Sequence, residues 1–102
     1  MRRRNPKPLA SALRAAREQA APRTLLAAVQ GRWREVAGET IAAEAEPVAE
    51  RDGVVTIACR SATWAQELDL LQEEILGRLC EALPEHRPTA LRFTADASRF
   101  SA

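Results

Sequence analysis

Apolar positions along this chain follow first a helical and then an alternating rhythm. Leu25, Val29, Trp33 and Val36 recur every three to four residues, which puts them on one face of a helix over residues 24–36. Thr24 is a candidate N-cap, since its hydroxyl can accept a bond from a first-turn amide. Gly38 is a candidate C-terminal stop, and Gly31 weakens the helix slightly from within. A short helical turn is expected over 39–43. The rhythm then changes to two. Residues 45–50 read as a weak strand, with Pro47 indicating an edge position or a bulge. Residues 54–59, Val-Val-Thr-Ile-Ala-Cys, are the most strand-like run, and Asp52-Gly53 between the two runs is a hairpin turn signal. Val55, Ile57 and Cys59 should face a core, with Thr56 and Arg60 facing the other way.

The helical rhythm returns over 62–83, where Trp64, Leu68, Leu71, Ile75 and Leu79 form one stripe that Leu76 and Leu83 widen. Ser61 or Thr63 can cap this helix, Thr63 having capping-box spacing to Gln66, and Pro84 ends it. Glu67, Asp69, Glu73 and Glu74 fall off the stripe and should form an acidic surface. A polar loop leads to a last strand over 89–93. Before all of this, residues 9–20 are rich in Ala and Arg and read as a marginal helix with only Leu9 and Leu13 on its apolar face, broken at Pro22.

The predicted order is α-α-β-β-α-β. It implies a small α+β, KH-like domain: a three-stranded sheet with helices packed on one face, the last strand pairing parallel to a hairpin strand through a crossover. Three segments are expected: a basic, partly helical N-terminal arm at 1–23, the folded domain at 24–95 and a frayed tail at 96–102.

Charge changes this picture more than composition does. The net charge of +1 hides a division. Residues 1–34 hold nine basic groups against the single acid Glu18, a net +8, while residues 35–102 hold six arginines against thirteen acids, a net −7. Fourteen of the fifteen basic residues are arginine, which pairs bidentately with phosphate and stacks on bases. A basic segment on an acidic body is a footprint of nucleic-acid contact, with a solvated tail as the plainer alternative. Arg2, Arg3, Arg4, Lys7, Arg14, Arg17 and Arg23 are the candidate phosphate contacts, and Arg32 and Arg34 would extend them along the first core helix.

Candidate chemistry is sparse. The one histidine, His86, lies in a loop, and no serine has a motif around it. The glycines at 31, 38, 53 and 77 make neither a P-loop nor a dinucleotide fingerprint. Cys59 and Cys80 lack metal-ligand spacing and read as small buried hydrophobes in a reducing compartment. No apolar run approaches the length of a membrane span, and the basic N-terminus is not followed by a signal-like apolar stretch. The expectation is a cytoplasmic, nucleoid-associated binding module with no catalytic residues, no metal, no cofactor and no small-molecule substrate. Trp33 and Trp64 read as core anchors or, alternatively, as a stacking platform or partner hot spot. Without a Gly-x-x-Gly loop, a KH-like fold here does not imply KH-style RNA reading.

Taken in order, Trp33-Arg34-Glu35-Val36-Ala37-Gly38, Ile41-Ala42, Ala45-Glu46-Pro47-Val48, Asp52-Gly53-Val54-Val55-Thr56-Ile57, Ser61-Ala62-Thr63-Trp64-Ala65-Gln66-Glu67-Leu68 and Ala90-Leu91-Arg92-Phe93 resemble the DciA family pattern over roughly residues 25–94. The resemblance implies a KH-like domain that binds DNA, lacks an ATPase of its own and loads or operates the DnaB-type replicative helicase. Many members carry a long extra tail; here the basic N-terminal segment is the expected extension. Trp64 and Leu68 would belong to the partner surface if exposed, and to the core if not. The alternatives are a general nucleic-acid-binding module, possibly for RNA, and a protein–protein scaffold.

Overall fold

The computed structural model describes residues 24–100. Helix α1 spans Leu25–Ala37, α2 Glu39–Glu44, α3 Ala62–Leu70 and α4 Gln72–Ala82; strands β1, β2 and β3 span Ala45–Arg51, Val54–Cys59 and Ala90–Ala95. A 3-10 turn covers Ala97–Phe100. The helix expected at 9–20 lies outside the described residues.

The local signals at α1 act as the sequence implies. Thr24 is extended and its Oγ1 accepts from the Ala27 amide at 3.0 Å. Gly38 stops the helix at φ 94°, a conformation that a side chain would oppose, while its amide bonds back to the Arg34 carbonyl. The chain re-enters a helix at once in α2. At the start of α3 the choice between Ser61 and Thr63 resolves to Ser61, whose Oγ accepts from the Trp64 amide at 3.2 Å.

The sheet runs β1-β2-β3, with β2 central, antiparallel to β1 and parallel to β3. Pro47 sits on the edge strand, and the register slips between Pro47 and Ala49, so both devices inferred from the proline are present. Asp52 (φ 52°) and Gly53 (φ 87°) make the tight hairpin turn with both residues left-handed.

Pairing sets two faces. Ala45, Pro47, Val55, Ile57, Cys59, Leu91 and Phe93 share one. Against it pack Val29, Trp33 and Val36 from α1, Leu68 from α3, and Ile75 and Leu79 from α4, forming the core. Helix α1 lies on β1 and α4, whereas α3 lies on β2 and β3.

Two expectations fail in instructive ways. The helix expected over 62–83 is broken at Leu71 (φ −101°, ψ 12°), whose amide bonds to the Leu68 carbonyl in a tightened last turn. No proline or glycine marks the break. Helix α3 serves the sheet while α4 also serves α1, and one straight axis does not satisfy both contacts. In consequence Leu71, expected on the buried stripe, is 42% exposed, and Leu70 is 80% exposed. The segment expected to fray from residue 96 instead makes the 3-10 turn, whose Arg99 pairs with Glu46 at 3.1 Å and whose Phe100 ring lies 5.1 Å beneath the Arg60 guanidinium.

Candidate nucleic-acid interface

The candidate phosphate contacts Arg2, Arg3, Arg4, Lys7, Arg14, Arg17 and Arg23 lie outside the described residues. Arg32 and Arg34 are on α1, and both are already partnered. The Arg32 guanidinium forks onto the Glu35 carboxylate at 3.1 and 2.6 Å and also donates at 3.1 Å to the Ala82 carbonyl, at the C-terminal end of α4. That carbonyl belongs to the negative end of a helix dipole, which suits a cation. Arg34 bonds Glu39 at 2.8 Å across the Gly38 turn. The hydrogen bond to Arg32, and then its charge, hold the Glu35 carboxyl below its ordinary value; Arg32 and Arg34 are raised by the same contacts with Glu35 and Glu39. Such solvent-exposed pairs contribute little, so a phosphate can displace the carboxylates at little cost.

Leu68 is 1% exposed, inside the core, and offers no surface as the fold stands. Trp64 is half-buried against the same core. Trp33 is 4% exposed, which makes it a core anchor. Among the described residues, the large apolar side chains most exposed to solvent are Leu70 and Leu71, side by side at the α3–α4 break. Periodicity points the wrong way for Leu71, because it assumes an unbroken helix.

The charged surface divides by face. Glu67, Asp69, Glu73, Glu74 and Glu81 are all exposed on α3 and α4, with Arg78 the single cation among them. The acidic surface inferred from the sequence is therefore present. On the opposite side, the sheet face without helices carries Glu46, Ala49 and Arg51 from β1, Val54, Thr56 and Ala58 from β2, and Ala90, Arg92 and Thr94 from β3. Arg60 and Arg99 border its Cys59 end. There the 3-10 turn crosses the sheet, which accounts for Ala58 being 1% exposed on the uncovered side.

The described arginines thus fall into two groups. Arg32, Arg34, Arg60, Arg78 and Arg99 each pair with a carboxylate, Arg60 with Glu44 at 2.6 Å. Arg51, Arg87 and Arg92 have no carboxylate partner among the described residues. Arg51 and Arg92 are legible in the sequence only once strand phase and pairing are known.

Among the described residues no cluster of His, Cys, Asp and Glu could hold a metal ion, and no buried side-chain polar atom lacks a hydrogen bond. His86 lines a shallow groove of about 420 Å³ with Ala28, Gly31, Arg32, Leu83 and Glu85. No helix among the described residues is long and apolar enough to cross a membrane.

Comparison with known proteins places the chain. The sequence model of a family described as Dna[CI] antecedent, DciA, matches residues 8–93. A UPF0232 protein of Rhodococcus jostii is 36% identical over 93 residues, covering 89% of this chain and 50% of the relative. One from Mycolicibacterium smegmatis is 35% identical, covering 68% of this chain and 36% of the relative. One from Mycobacterium tuberculosis is 32% identical over 97 residues, covering 93% and 52%. The chain therefore spans about half or less of the length of these relatives. With the family model covering most of its length and the ordered tryptophan, proline and Asp-Gly signals all seated in the fold, the chain belongs to the DciA family.

Proposed function

We propose that this chain is a DNA-binding adaptor that loads or operates a DnaB-type replicative helicase at the initiation of DNA replication, with no reaction of its own. The observation that carries the reading is membership of the DciA family, a family linked to helicase loading. The division of charge supports it: a strongly basic first third joined to a domain whose helical side is acidic. In this reading Arg2, Arg3, Arg4, Lys7, Arg14, Arg17 and Arg23 grip the backbone without reading bases, and Arg32 and Arg34 join them by exchanging Glu35 and Glu39 for phosphate. The folded domain meets the helicase, and the setting is the cytoplasm, at the nucleoid.

The test is unwinding of a forked DNA by the same organism's replicative helicase, held limiting, with and without the chain. Stimulation that disappears when residues 1–23 are deleted supports the adaptor. If six to eight phosphate contacts form, affinity for DNA falls by about 10³-fold or more between 50 and 200 mM salt. Intact DNA binding without stimulation of the helicase favours instead a general nucleic-acid-binding module, and preference for RNA over DNA of equal sequence would extend it to RNA. No binding at low salt would leave a protein–protein scaffold.

A further inference from the structure

We propose that the helix-free face of the sheet is a second phosphate-binding surface, in which Arg51 and Arg92 contact a nucleic-acid backbone directly. The inference rests on the nucleic-acid reading above but concerns residues which that reading does not use.

Three observations carry it. First, the face is uncovered over its Val54 end: Arg51 and Arg92 are exposed, and Ala49, next to Arg51 on this face of β1, is small. Second, its charge is opposite to that of the helical side. Glu46 is the one acid in its pairing rows, and Arg99 neutralises it; of the α3 and α4 acids, Asp69 reaches a shallow pocket that Arg92 also lines at the β3 edge, without pairing with it. Third, its two cations are unspent. Neither Arg51 nor Arg92 makes an ion pair or side-chain hydrogen bond among the described residues, in contrast to Arg32 and Arg34. A phosphate would displace no carboxylate already paired with either arginine.

The register sets the spacing. Arg51 pairs with Val54, which pairs with Ala90, and Arg92 lies two residues further along β3. Two inter-strand steps across and two residues along separate their Cα atoms by about 12 Å, near enough for both guanidiniums to engage one stretch of backbone. Thr56, the register partner of Arg92, sits on the central strand between the two arginines with a hydroxyl that no described side chain or backbone group bonds, and can donate to the same phosphates. Bases are not read here. Among the described aromatics, Phe93, Trp33 and Trp64 pack in or against the core, and the Phe100 ring is already covered by Arg60, so the face offers no free ring for stacking. An acidic protein patch would meet the same cations, but it lacks the repeated charge that lets both arginines bind at once.

The test measures binding of the full chain to fluorescein-labelled single-stranded and duplex DNA from 50 to 200 mM salt. The variants are R51A/R92A, the single variants R51A and R92A and, as a surface charge loss on the acidic side matched to the singles, R78A. Because Arg51 and Arg92 bond nothing in the described fold, their removal should leave the melting temperature unchanged. The expected result is weaker binding by R51A/R92A, with the slope of log affinity against log salt shallower by about 1 for each arginine, while R78A binds as the wild type or tighter. If R51A/R92A binds with wild-type affinity and slope, the sheet face is not a phosphate site and the arm carries DNA alone. If the wild type itself does not bind at 50 mM salt, both this surface and the nucleic-acid reading fall.

Discussion

The indole Nε1 of Trp33 donates a 2.8 Å hydrogen bond to the carbonyl of Ala45, both buried. This single contact ties the middle of α1 to the first residue of β1, twelve positions on. It also explains how so large a side chain is buried: its one polar atom finds a partner where α2 turns into the sheet. The alternative role for Trp33, as a stacking platform, would need a face that the core has already taken.

Replacing Trp33 with Phe keeps the ring but removes the donor. It should lower stability by about 1–3 kcal/mol, the cost of leaving a buried acceptor without its bond. Trp33→Ala should cost about 3–5 kcal/mol, because a cavity is added. Urea denaturation of both variants checks this; a Trp33→Phe variant as stable as the wild type would show that the hydrogen bond contributes nothing.

Gly53 supplies the second testable contact. Its φ is 87°, and a Cβ built there would lie 2.8 Å from the Thr89 hydroxyl, on the loop whose amide bonds the Gly53 carbonyl. Gly53→Ala is therefore opposed twice, by backbone conformation and by space, and should cost more than about 1 kcal/mol. In G53A/T89A the steric part should return and the conformational part remain. Full recovery in the double variant would show that backbone strain is negligible at this turn.

Cys59 is fully buried on the central strand, and burial pushes its thiol up from 9.0 to about 11. A raised value in the folded state means that the unfolded chain releases its proton first. Stability from this group is complete below pH 9 and is lost as pH rises towards 11, by about 2 kcal/mol. Denaturation midpoints should fall across that window more steeply in the wild type than in Cys59→Ala. At pH 8 the native Cys59 should resist alkylation that modifies it readily in urea.

The α3–α4 break separates two adjacent kinds of leucine. Leu68→Ala should cost about 2–5 kcal/mol, as a core truncation does, whereas Leu70→Ser should stay within about 0.5 kcal/mol. A large loss in Leu70→Ser would mean that Leu70 packs in solution, and a large loss in Leu71→Ser would mean that the helix is continuous there, with Leu71 on its buried stripe. If helicase binding is lost in Leu70→Ser with stability intact, the pair Leu70 and Leu71 belongs to the partner surface.

Short-range signals were the most legible part of this chain. Thr24, Gly38, Ser61 and Asp52-Gly53 each act within a few residues of themselves, so their roles follow from backbone geometry whatever the rest of the fold does. Strand phase is equally local, which is why Val55, Ile57 and Cys59 are core and Thr56 is not. The candidate site was less legible. A list of arginines does not say which are free, because Arg60 and Glu44 are 16 residues apart and Arg99 and Glu46 are 53 apart, yet each pair is joined.

The sequence by itself determined the order of elements, the caps and turn that bound them, the alternation that splits the sheet into two faces, and the division of charge. Tertiary structure alone decided that the long apolar stripe is carried by two helices, that β2 is the hairpin strand beside which β3 lies, and that Arg51 and Arg92 come together on the face the helices leave open. The reason is range. Periodicity reports which way a side chain points from its own axis, but a helix axis bends, and a charge finds its partner, only when distant segments have packed.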